Sequence, residues 1–226
     1  MEKEQFAILI PVRLSSFRFP NKPLADLKGE TLIERVYNRC KEFEIDTFVI
    51  TEDPLDSTKI HSPILSPTFA NGTERLSWAV NNIKHLEQYD YIINVQCDMP
   101  DITFDIIDKL AIKCSPYNVV TPCTEMSEAD QKDSNIVKFI HNGFKGHWFC
   151  RASLGYGDHH LGVYAFSRKT LASYNELNKC PAEDFERLEQ LRWIHNSVTV
   201  TPVHVEFNGI EINTQQDLDR WNETHN

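Results

Sequence analysis

The feature that most constrains the fold is the alternation of short apolar runs with amphipathic segments. The first run, FAILIPV at 6–12, is continuously apolar, which is typical of a strand buried on both faces of a parallel sheet. A polar loop follows, and then apolar residues recur at helical spacing over 31–43, where Thr31 and Glu34 predict a capping box. This order of strand, loop and helix indicates an α/β fold.

The same unit recurs along the chain. Further strands are predicted at 47–51, 91–96, 118–124 and 197–207, and further helices at 73–86, 104–114, 181–194 and 214–221. The prolines of 54–67 indicate a loop. Strands that alternate with helices predict a mainly parallel, twisted sheet flanked by helices on both faces.

The middle of the chain departs from this alternation. Short strands are predicted at 135–140, 144–150 and 160–167, separated by turns that contain glycine. The simplest interpretation is a single domain over 1–226 with a small β lobe inserted at about 135–167.

Composition excludes several classes of protein. The chain has 23 Lys plus Arg against 33 Asp plus Glu and a net charge of −10, which argues against a nucleic-acid partner. No apolar run approaches the roughly 18 residues of a membrane span, and the N-terminus does not resemble a signal peptide, so a soluble cytoplasmic protein without a membrane partner is expected. The six cysteines show no CxxC spacing and predict neither a zinc site nor a disulfide framework.

The loop after the first strand concentrates positive charge. Ligands of open parallel sheets bind at the carboxyl ends of the strands, which makes the stretch PVRLSSFRFPNKPL the first candidate site. It has no glycine-rich phosphate loop, so side chains must supply the charge. Arg13, Ser16, Arg18 and Lys22 can converge on a triphosphate, whereas the alternative is a solvated surface loop.

An acidic residue follows a later strand. Asp98, in INVQCDMP, is expected at the same edge of the sheet, where a carboxylate can hold Mg²⁺ against nucleotide phosphates. An isolated Asp in this position is more often a turn residue or a helix cap. Together with the cationic loop, however, it completes the two halves of a metal–nucleotide site.

Five stretches resemble, in order, the motifs of the 3-deoxy-manno-octulosonate (KDO) cytidylyltransferases, or CMP-KDO synthetases. They are IPVRLSSFRFPNKPL, NGTERL, INVQCDMP, HLGVYAF and ERLEQLR, and together they span nearly the whole chain. The first motif is shared with cytidylyltransferases for other sugars such as sialic acid, but the ordered set is more specific. The resemblance implies a Rossmann-like nucleotidyltransferase fold, a homodimer formed through the β lobe, and an enzyme that uses Mg²⁺. In its reaction, the anomeric hydroxyl of KDO attacks the α-phosphate of CTP to give CMP-KDO and pyrophosphate.

The resemblance also implies a role for each site residue. Arg13, Lys22 and Asp98 are the implied catalytic residues. The implied phosphate contacts are Arg13, Ser16 and Lys22 with Arg18 assisting, the cytidine contacts are Arg75 and Gln96, and the metal ligands are Asp98 and Asn213. For the sugar acid, Arg151 is expected to pair with the carboxylate, and the hydroxyl contacts are His160, Tyr164, Glu189 and Gln190. Each hydroxyl contact has a structural alternative: His160 as a hydrogen-bonded histidine of a strand, Tyr164 as an aromatic residue of the core, and Glu189 with Gln190 as part of a solvated helix face.

Two departures from the family pattern leave the activity open. Asn213 stands where an Asp is usual, although Glu211 could compensate, and Cys97 replaces the glycine of the family's QGD sequence. The segment 52–71 is also shorter than expected. The alternatives are therefore an enzyme for a related sugar acid such as 8-amino-KDO, or a catalytically degraded protein that binds CTP or a sugar nucleotide.

Overall fold

The fold is built on one large sheet. The computed structural model describes residues 2–15, 19–55, 57, 59–60 and 62–225. Within these residues a ten-stranded sheet has the order β5-β4-β1-β6-β11-β7-β10-β8-β9, and β12 also pairs with β7. Its strands are β1 Phe6–Val12, β4 Asp46–Thr51, β5 Ile64–Leu65, β6 Tyr91–Asn94, β7 Asn118–Thr124, β8 Lys138–His141, β9 Gly146–Cys150, β10 Asp158–His160, β11 Tyr164–Ser167 and β12 Thr199–His204. A separate two-stranded ladder joins β2 Asp26–Leu27 to β3 Glu30–Thr31.

The helices cover both faces of this sheet. They are α1 Leu32–Lys41, α2 Gly72–Asn82, α3 Phe104–Lys113, α4 Glu128–Lys132, α5 Arg168–Ala172, α6 Pro181–Glu186, α7 Leu191–His195 and α8 Gln215–Thr224. The capping box predicted for α1 is confirmed, because Thr31 accepts from the Glu34 backbone and the Glu34 side chain accepts from the Thr31 N–H. No described helix has the length and apolar character needed to cross a membrane.

The sheet is mixed, which corrects the prediction of a mainly parallel one. β1 is parallel to β4 and β6, and β7 is parallel to β12, but β11 runs antiparallel between β6 and β7. The chain leaves β7 at its carboxyl end and makes the hairpin β8–β9 there, without a long crossover helix. The strands that re-enter the sheet must therefore run against β7.

Burial on both faces of β1 is confirmed. All seven residues of FAILIPV are buried, with Ile8 and Ile10 in one core and Ala7 and Leu9 in the other. The first core packs against α1, α3 and α8, and the second packs against α2, α5 and α7. This two-sided burial is why the strand has no polar alternation.

The single helix predicted over 181–194 is wrong. α6 ends at Glu186, the next residue Arg187 has a left-handed backbone with φ 54°, and α7 starts only at Leu191. Phe185 is 89% exposed, whereas Leu188 and Leu191 are buried. A buried Arg192 that binds Glu183 pulls the chain inward here, so tertiary contacts outweigh local helical periodicity.

Other boundaries shift by a few residues. The helix predicted over 73–86 ends at Asn82 and continues as a 3-10 turn, Lys84–Gln88. The strand predicted over 160–167 is interrupted at 161–163, so that β10 and β11 pair with successive parts of β7. The loop predicted over 54–67 contains the short strand β5.

Strands β8, β9 and β10 occupy the region predicted as a lobe. They continue the main sheet beyond β7, and the rings of Phe139 and Phe149 stack at 4.1 Å between centroids. β11, which was counted within the same lobe, lies in the centre of the sheet. A single domain with a lobe at about 135–167 stays a prediction.

Candidate active site

A cleft of about 550 Å³ opens at the carboxyl ends of β1 and β6. Its position follows from the topology, because β1 delivers Arg13 and β6 delivers Gln96 and Asp98 to the same edge. Every predicted site residue that the structure describes lines this cleft. They are Arg13, Lys22, Arg75, Gln96, Asp98, Arg151, His160, Tyr164, Glu189, Gln190 and Asn213. Ser16 and Arg18 lie outside the described residues, and the individual roles stay predictions.

Lys22 and Asp98 form an ion pair at the floor of the cleft. The Lys22 Nζ lies 2.7 Å from Asp98 Oδ2, and the two side chains are 14% and 24% exposed. The backbone places Lys22 in the short 3-10 turn Lys22–Leu24, after Asn21 in a left-handed conformation. The pair brings the cation of the loop and the acid after β6 within reach of a single ligand.

Asn213 is held beside Asp98 by the backbone. The Ile212 N–H donates to the Asp98 carbonyl at 3.0 Å, which fixes the residue before Asn213. Asn213 does not cap α8, because that role belongs to Thr214, whose side chain accepts from the Asp217 N–H. Helix capping therefore does not account for an asparagine at position 213. Glu211, two residues earlier, lines the same cleft.

Arg13 and Arg75, the two arginines predicted to contact the nucleotide, differ in environment. Arg13 borders the cleft, and its Nη1 donates to the Ala70 carbonyl at 3.3 Å. Arg75 is almost wholly buried on α2, and its three nitrogens donate to Ser66, to the Val12 carbonyl and to Glu52. Arg75 therefore braces β1 and its loop, and its predicted contact with cytidine would have to use groups already engaged.

His160 and Tyr164, which were predicted to contact the sugar acid, form a buried part of the cleft. Thr121 donates its hydroxyl to the Val163 carbonyl at 2.7 Å, so the His160 Nε2, at 2.9 Å from that hydroxyl, is the donor. Burial lowers the pKa of His160 to about 3, and the ring is neutral at physiological pH. Burial also raises the pKa of Tyr164 well above its ordinary value, so the phenol keeps its proton.

Glu189 and Gln190 reach the cleft because the helix breaks before them. Glu189 accepts from the Thr73 hydroxyl at 2.7 Å, at the N-terminus of α2, and burial raises its pKa. Gln190 is buried and makes no side-chain cap for α7. The alternative of a solvated helix face is thus wrong for both residues.

Arg151 also lines the cleft, where backbone carbonyls hold its side chain. Its guanidinium donates to the carbonyls of Glu186, Ser134 and Asn135 at 3.1 to 3.2 Å. These bonds engage Nε and Nη1 and fix the orientation of the planar group, so a two-nitrogen fork to a carboxylate would have to replace at least one of them.

Several residues of the cleft were not predicted. Helix α6 adds Glu183 and Asp184, and the turn after it adds Arg187 and Leu188. No local sequence signal marks the break between α6 and α7. Gly72 at the start of α2 also lines the cleft, and a Cβ there would lie 3.1 Å from the Pro11 side chain. The glycine of the motif NGTERL fits this position, because a Cβ there would require the Pro11 side chain to shift by a few tenths of an ångström.

Comparison with known proteins decides the family. Residues 7–200 match the cytidylyltransferase family, which is most of the chain. The chain belongs to the cytidylyltransferase family. Its relatives include 3-deoxy-manno-octulosonate cytidylyltransferases of Bartonella henselae, 33% identical over 94% of this chain and 95% of that protein, and of Brucella anthropi, 31% identical over 94% and 93%. Within the cytidylyltransferases, the chain therefore belongs with these proteins, as the ordered motifs predicted.

Solved structures agree with this membership. A CMP:2-keto-3-deoxy-manno-octonic acid synthetase complexed with CTP superposes with a TM-score of 0.85 at 26% identity, over 97% of this chain and 98% of that one. A 4-diphosphocytidyl-2C-methyl-D-erythritol synthase of Anaerococcus prevotii gives 0.62 at 14% identity, over 99% of each chain, and shows the fold alone. The nucleotidyltransferase fold predicted from the motifs is confirmed.

Cys97 stands where the QGD motif of the family has glycine. The residue lines the cleft between Gln96 and Asp98. Burial raises the pKa of its thiol to about 11, so the thiol is neutral at physiological pH and adds no negative charge to the cleft.

Proposed function

We propose that this cytidylyltransferase joins CTP to KDO, giving CMP-KDO and pyrophosphate. One observation carries the proposal: the cationic loop after β1, the acid after β6 and the buried polar group around His160 and Glu189 line a single cleft. Similarity over 94% of the chain to KDO cytidylyltransferases supports the same reaction.

The phosphate side suits an in-line transfer. The attack of a sugar hydroxyl on the α-phosphate of CTP needs charge neutralisation and alignment rather than a covalent intermediate. Arg13 and Lys22 supply positive charge at the carboxyl end of β1, where the triphosphate would lie. In this geometry Lys22 exchanges Asp98 for a phosphate oxygen, and pyrophosphate leaves as the bond to the α-phosphorus breaks.

The donor set near Asp98 fits Mg²⁺. Asp98 offers a carboxylate, Asn213 an amide oxygen, and Glu211 a second carboxylate on the same cleft. When bound, Mg²⁺ would supply neutralisation of the phosphate oxygens. Asp98 is the residue that would hold it, and the hydrogen bond from Ile212 to the Asp98 carbonyl keeps Asn213 close.

The sugar side combines one cation with buried polar groups. Arg151 is placed to pair with the carboxylate of a sugar acid, and His160, Tyr164, Glu189 and Gln190 are placed to bind hydroxyls. The sugar hydroxyls would meet a neutral His160, because burial keeps this ring uncharged.

The reaction is tested by pyrophosphate release with CTP, Mg²⁺ and a sugar acid. Release that needs both CTP and KDO is expected, and a higher kcat/KM for 8-amino-KDO would instead assign the related sugar acid. CTP binding without release in the presence of either sugar would favour a degraded protein that only binds the nucleotide.

Lys22→Ala is expected to weaken CTP binding by about ten- to a hundredfold, the usual loss for a charge-assisted hydrogen bond. Unfolding free energy should change by no more than about 1 kcal/mol, as is typical for partly exposed ion pairs. Isothermal titration of CTP measures the first and urea unfolding the second. Lys41→Ala, which removes an exposed cation from the end of α1, serves as the charge-matched control. Wild-type CTP affinity in Lys22→Ala would remove the cationic loop from the site.

Asn213→Asp is expected to lower the Mg²⁺ concentration needed for half-maximal rate. A hard cation gains from each added carboxylate when the geometry allows, and Asn213 already lines the cleft beside Asp98. A Mg²⁺ titration of the cytidylyltransfer rate measures the shift. Thr214, and not Asn213, caps α8. An unchanged Mg²⁺ midpoint in Asn213→Asp, with a change only in the melting temperature, would contradict the assignment of Asn213 as a metal ligand.

We further propose a homodimer formed through the region of β8 and β9. Phe144 is 82% exposed there, and Trp148 and Leu154 are each 38% exposed, so apolar surface is available for a symmetric contact. Phe149 of β9 is buried against Phe139 and does not contribute to this surface. Light scattering at micromolar concentration should give twice the mass of one chain, and a monomer would contradict this proposal.

A further inference from the structure

A second group of metal-ligating side chains lies outside the active-site cleft. Cys123 on β7, His141 on β8, Asp158 on β10 and His204 on β12 each offer one ligand atom, and these atoms all lie within 4.8 Å of one another. None of the four lines the cleft. Four different strands contribute, so the arrangement is set by the sheet rather than by a local motif.

The register of the sheet brings the four residues together. Cys123 is directly opposite His204 in the β7–β12 pair and opposite His160 in the β7–β10 pair. Asp158 lies two residues before His160 and therefore on the same face of β10. In the β8–β9 pair, the register shifts between Ile140 and His141. At this point the His141 side chain contacts Asp158.

The separations are close to those of a tetrahedral zinc site. Zinc bonds of about 2.0–2.3 Å place neighbouring ligand atoms roughly 3.3–3.8 Å apart. Cys123 Sγ lies 3.7 Å from His141 Nε2 and 3.9 Å from Asp158 Oδ2, and His204 Nε2 lies 3.4 Å from Asp158 Oδ2. The pair His141 Nε2 to Asp158 Oδ2, now a hydrogen bond of 2.8 Å, would have to open by about half an ångström.

From this geometry we propose that Cys123, His141, Asp158 and His204 form a structural site for zinc, separate from the Mg²⁺ site of catalysis. The ligand set of one thiolate, two imidazoles and one carboxylate is that of a borderline-soft cation and not of Mg²⁺. The two anionic ligands balance the charge of the ion. His204 has a side chain 57% exposed and leaves a path for the metal to enter.

Metal binding changes the protons of two ligands. The Gly143 N–H donates to His141 Nδ1 at 3.1 Å, so Nε2 now carries the ring proton and donates it to Asp158. When zinc takes Nε2, the ring proton moves to Nδ1 and the Gly143 contact breaks, in an exposed turn where Gly143 has φ 86°. Cys123 binds as the thiolate and releases its proton to water.

The site would brace one side of the active-site cleft. β10 carries Asp158 into the proposed zinc site and His160 into the cleft, two residues later. His159 between them approaches Glu211 of the cleft, with 3.5 Å between Nε2 and Oε2. Zinc would therefore fix β10 between β7 and β8 and hold His160 in place.

The test uses the purified full chain, with any affinity tag removed and metals stripped by a chelator. Titration with Co²⁺ should give one equivalent of tetrahedral d–d absorption together with a thiolate-to-cobalt charge-transfer band, and one equivalent of Zn²⁺ should displace both. Zn²⁺ should also raise the melting temperature. Cys123→Ser should lose the charge-transfer band, and Cys123→Ser and His204→Ala should each weaken Zn²⁺ binding by at least about a hundredfold, because they remove direct ligands.

The controls keep the two metal sites apart. Cys114→Ser and His195→Ala, which change a cysteine and a histidine outside the cluster, should bind Zn²⁺ as the wild type does. Asp98→Asn should keep the tight Zn²⁺ site, since Asp98 belongs to the cleft. The proposal is overturned if the wild type shows no charge-transfer band, or if Cys123→Ser and the exposed-site variant His204→Ala bind Zn²⁺ with wild-type affinity. Either result would mean that the cluster only provides Asp158 with hydrogen-bond donors.

Discussion

Asp98→Asn is expected to reduce the rate of CMP transfer by at least about a thousandfold, which is the scale on which a lost electrostatic contact to the reacting phosphate acts. Asp98 is the carboxylate nearest to Lys22 in the cleft, and its presumed metal partner, Asn213, is already neutral. The variant would leave this pair of ligands without a formal charge. Steady-state pyrophosphate release at saturating CTP and KDO measures the loss.

A second measurement separates a metal defect from a folding defect. Asn has almost the shape of Asp, so the melting temperature should stay close to that of the wild type, and CTP should still bind without Mg²⁺ because Arg13 and Lys22 remain. The increase in CTP affinity on addition of Mg²⁺ should disappear. Asp105→Asn, an exposed carboxylate on α3 paired with Lys109, is the matched control. More than about a tenth of the wild-type rate in Asp98→Asn would rule out Asp98 as the principal ligand.

Arg192→Met is expected to lower the free energy of unfolding by roughly 3–5 kcal/mol, the loss typical of removing one partner from a buried ion pair. The Arg192 side chain is 1% exposed, lies 2.8 Å from Glu74 Oε1, and donates through Nε to Glu183 at 2.9 Å. Burial opposes the charged form, but the bonds to Glu183 and Glu74 outweigh it and raise the pKa of Arg192. Without Arg192, two carboxylates remain close together in the interior.

Lys179→Ala provides the contrast for this prediction. Lys179 contacts the same Glu74 Oε1 at 3.0 Å but is 58% exposed, so its removal should cost less than about 1 kcal/mol. Urea unfolding of both variants at neutral pH gives the comparison. Burial raises the pKa of Glu74, but the contacts with Arg192 and Lys179 lower it by more, so the net pKa lies below its ordinary value. The charged Glu74 therefore stabilises the fold at pH values above the ordinary carboxyl pKa, and this contribution is lost as the pH falls through the lowered pKa. Equal losses in the two variants would show that the burial of Arg192 is not what matters.

The same contacts explain what the sequence could not predict on the sugar side. Arg192 joins α7 to Glu183 of α6 and Glu74 of α2, and the turn between α6 and α7 carries Glu189 and Gln190 into the cleft. The apolar spacing over 181–194 suited one continuous helix. The break accompanies the contact of Arg192 with Glu74, 118 residues away, which helical periodicity does not encode.

The phosphate side could be predicted because its signals are local. β1 is buried on both faces and apolar throughout, and Arg13 follows it directly. β6 is mostly buried, and Asp98 follows its last residue, Asn94, after three residues. The carboxyl ends of parallel strands lie at the same edge of a sheet, so the order of the strands was enough to predict that Arg13 and Asp98 lie close together. Residues 16–18 of the same loop are not among those that the structure describes.

The antiparallel strand β11 and the cluster around Cys123 could not be predicted in this way. Cys123, His141, Asp158 and His204 have no regular spacing, since each belongs to a different strand and only the register aligns them. Isolated cysteines in the sequence therefore indicated no zinc site. The direction of β11 likewise depends on where the hairpin β8–β9 returns the chain, which apolar periodicity does not encode.

The central claim is that this cleft joins the α-phosphate of CTP to the anomeric oxygen of KDO. Phosphorus NMR of the wild-type protein with CTP, KDO and Mg²⁺ tests it most directly, because it observes both products. The three resonances of CTP should give way to equal amounts of pyrophosphate and a CMP-KDO phosphodiester, and neither should form without KDO. Unchanged CTP resonances in the presence of KDO and Mg²⁺, with CTP demonstrably bound, would contradict the account.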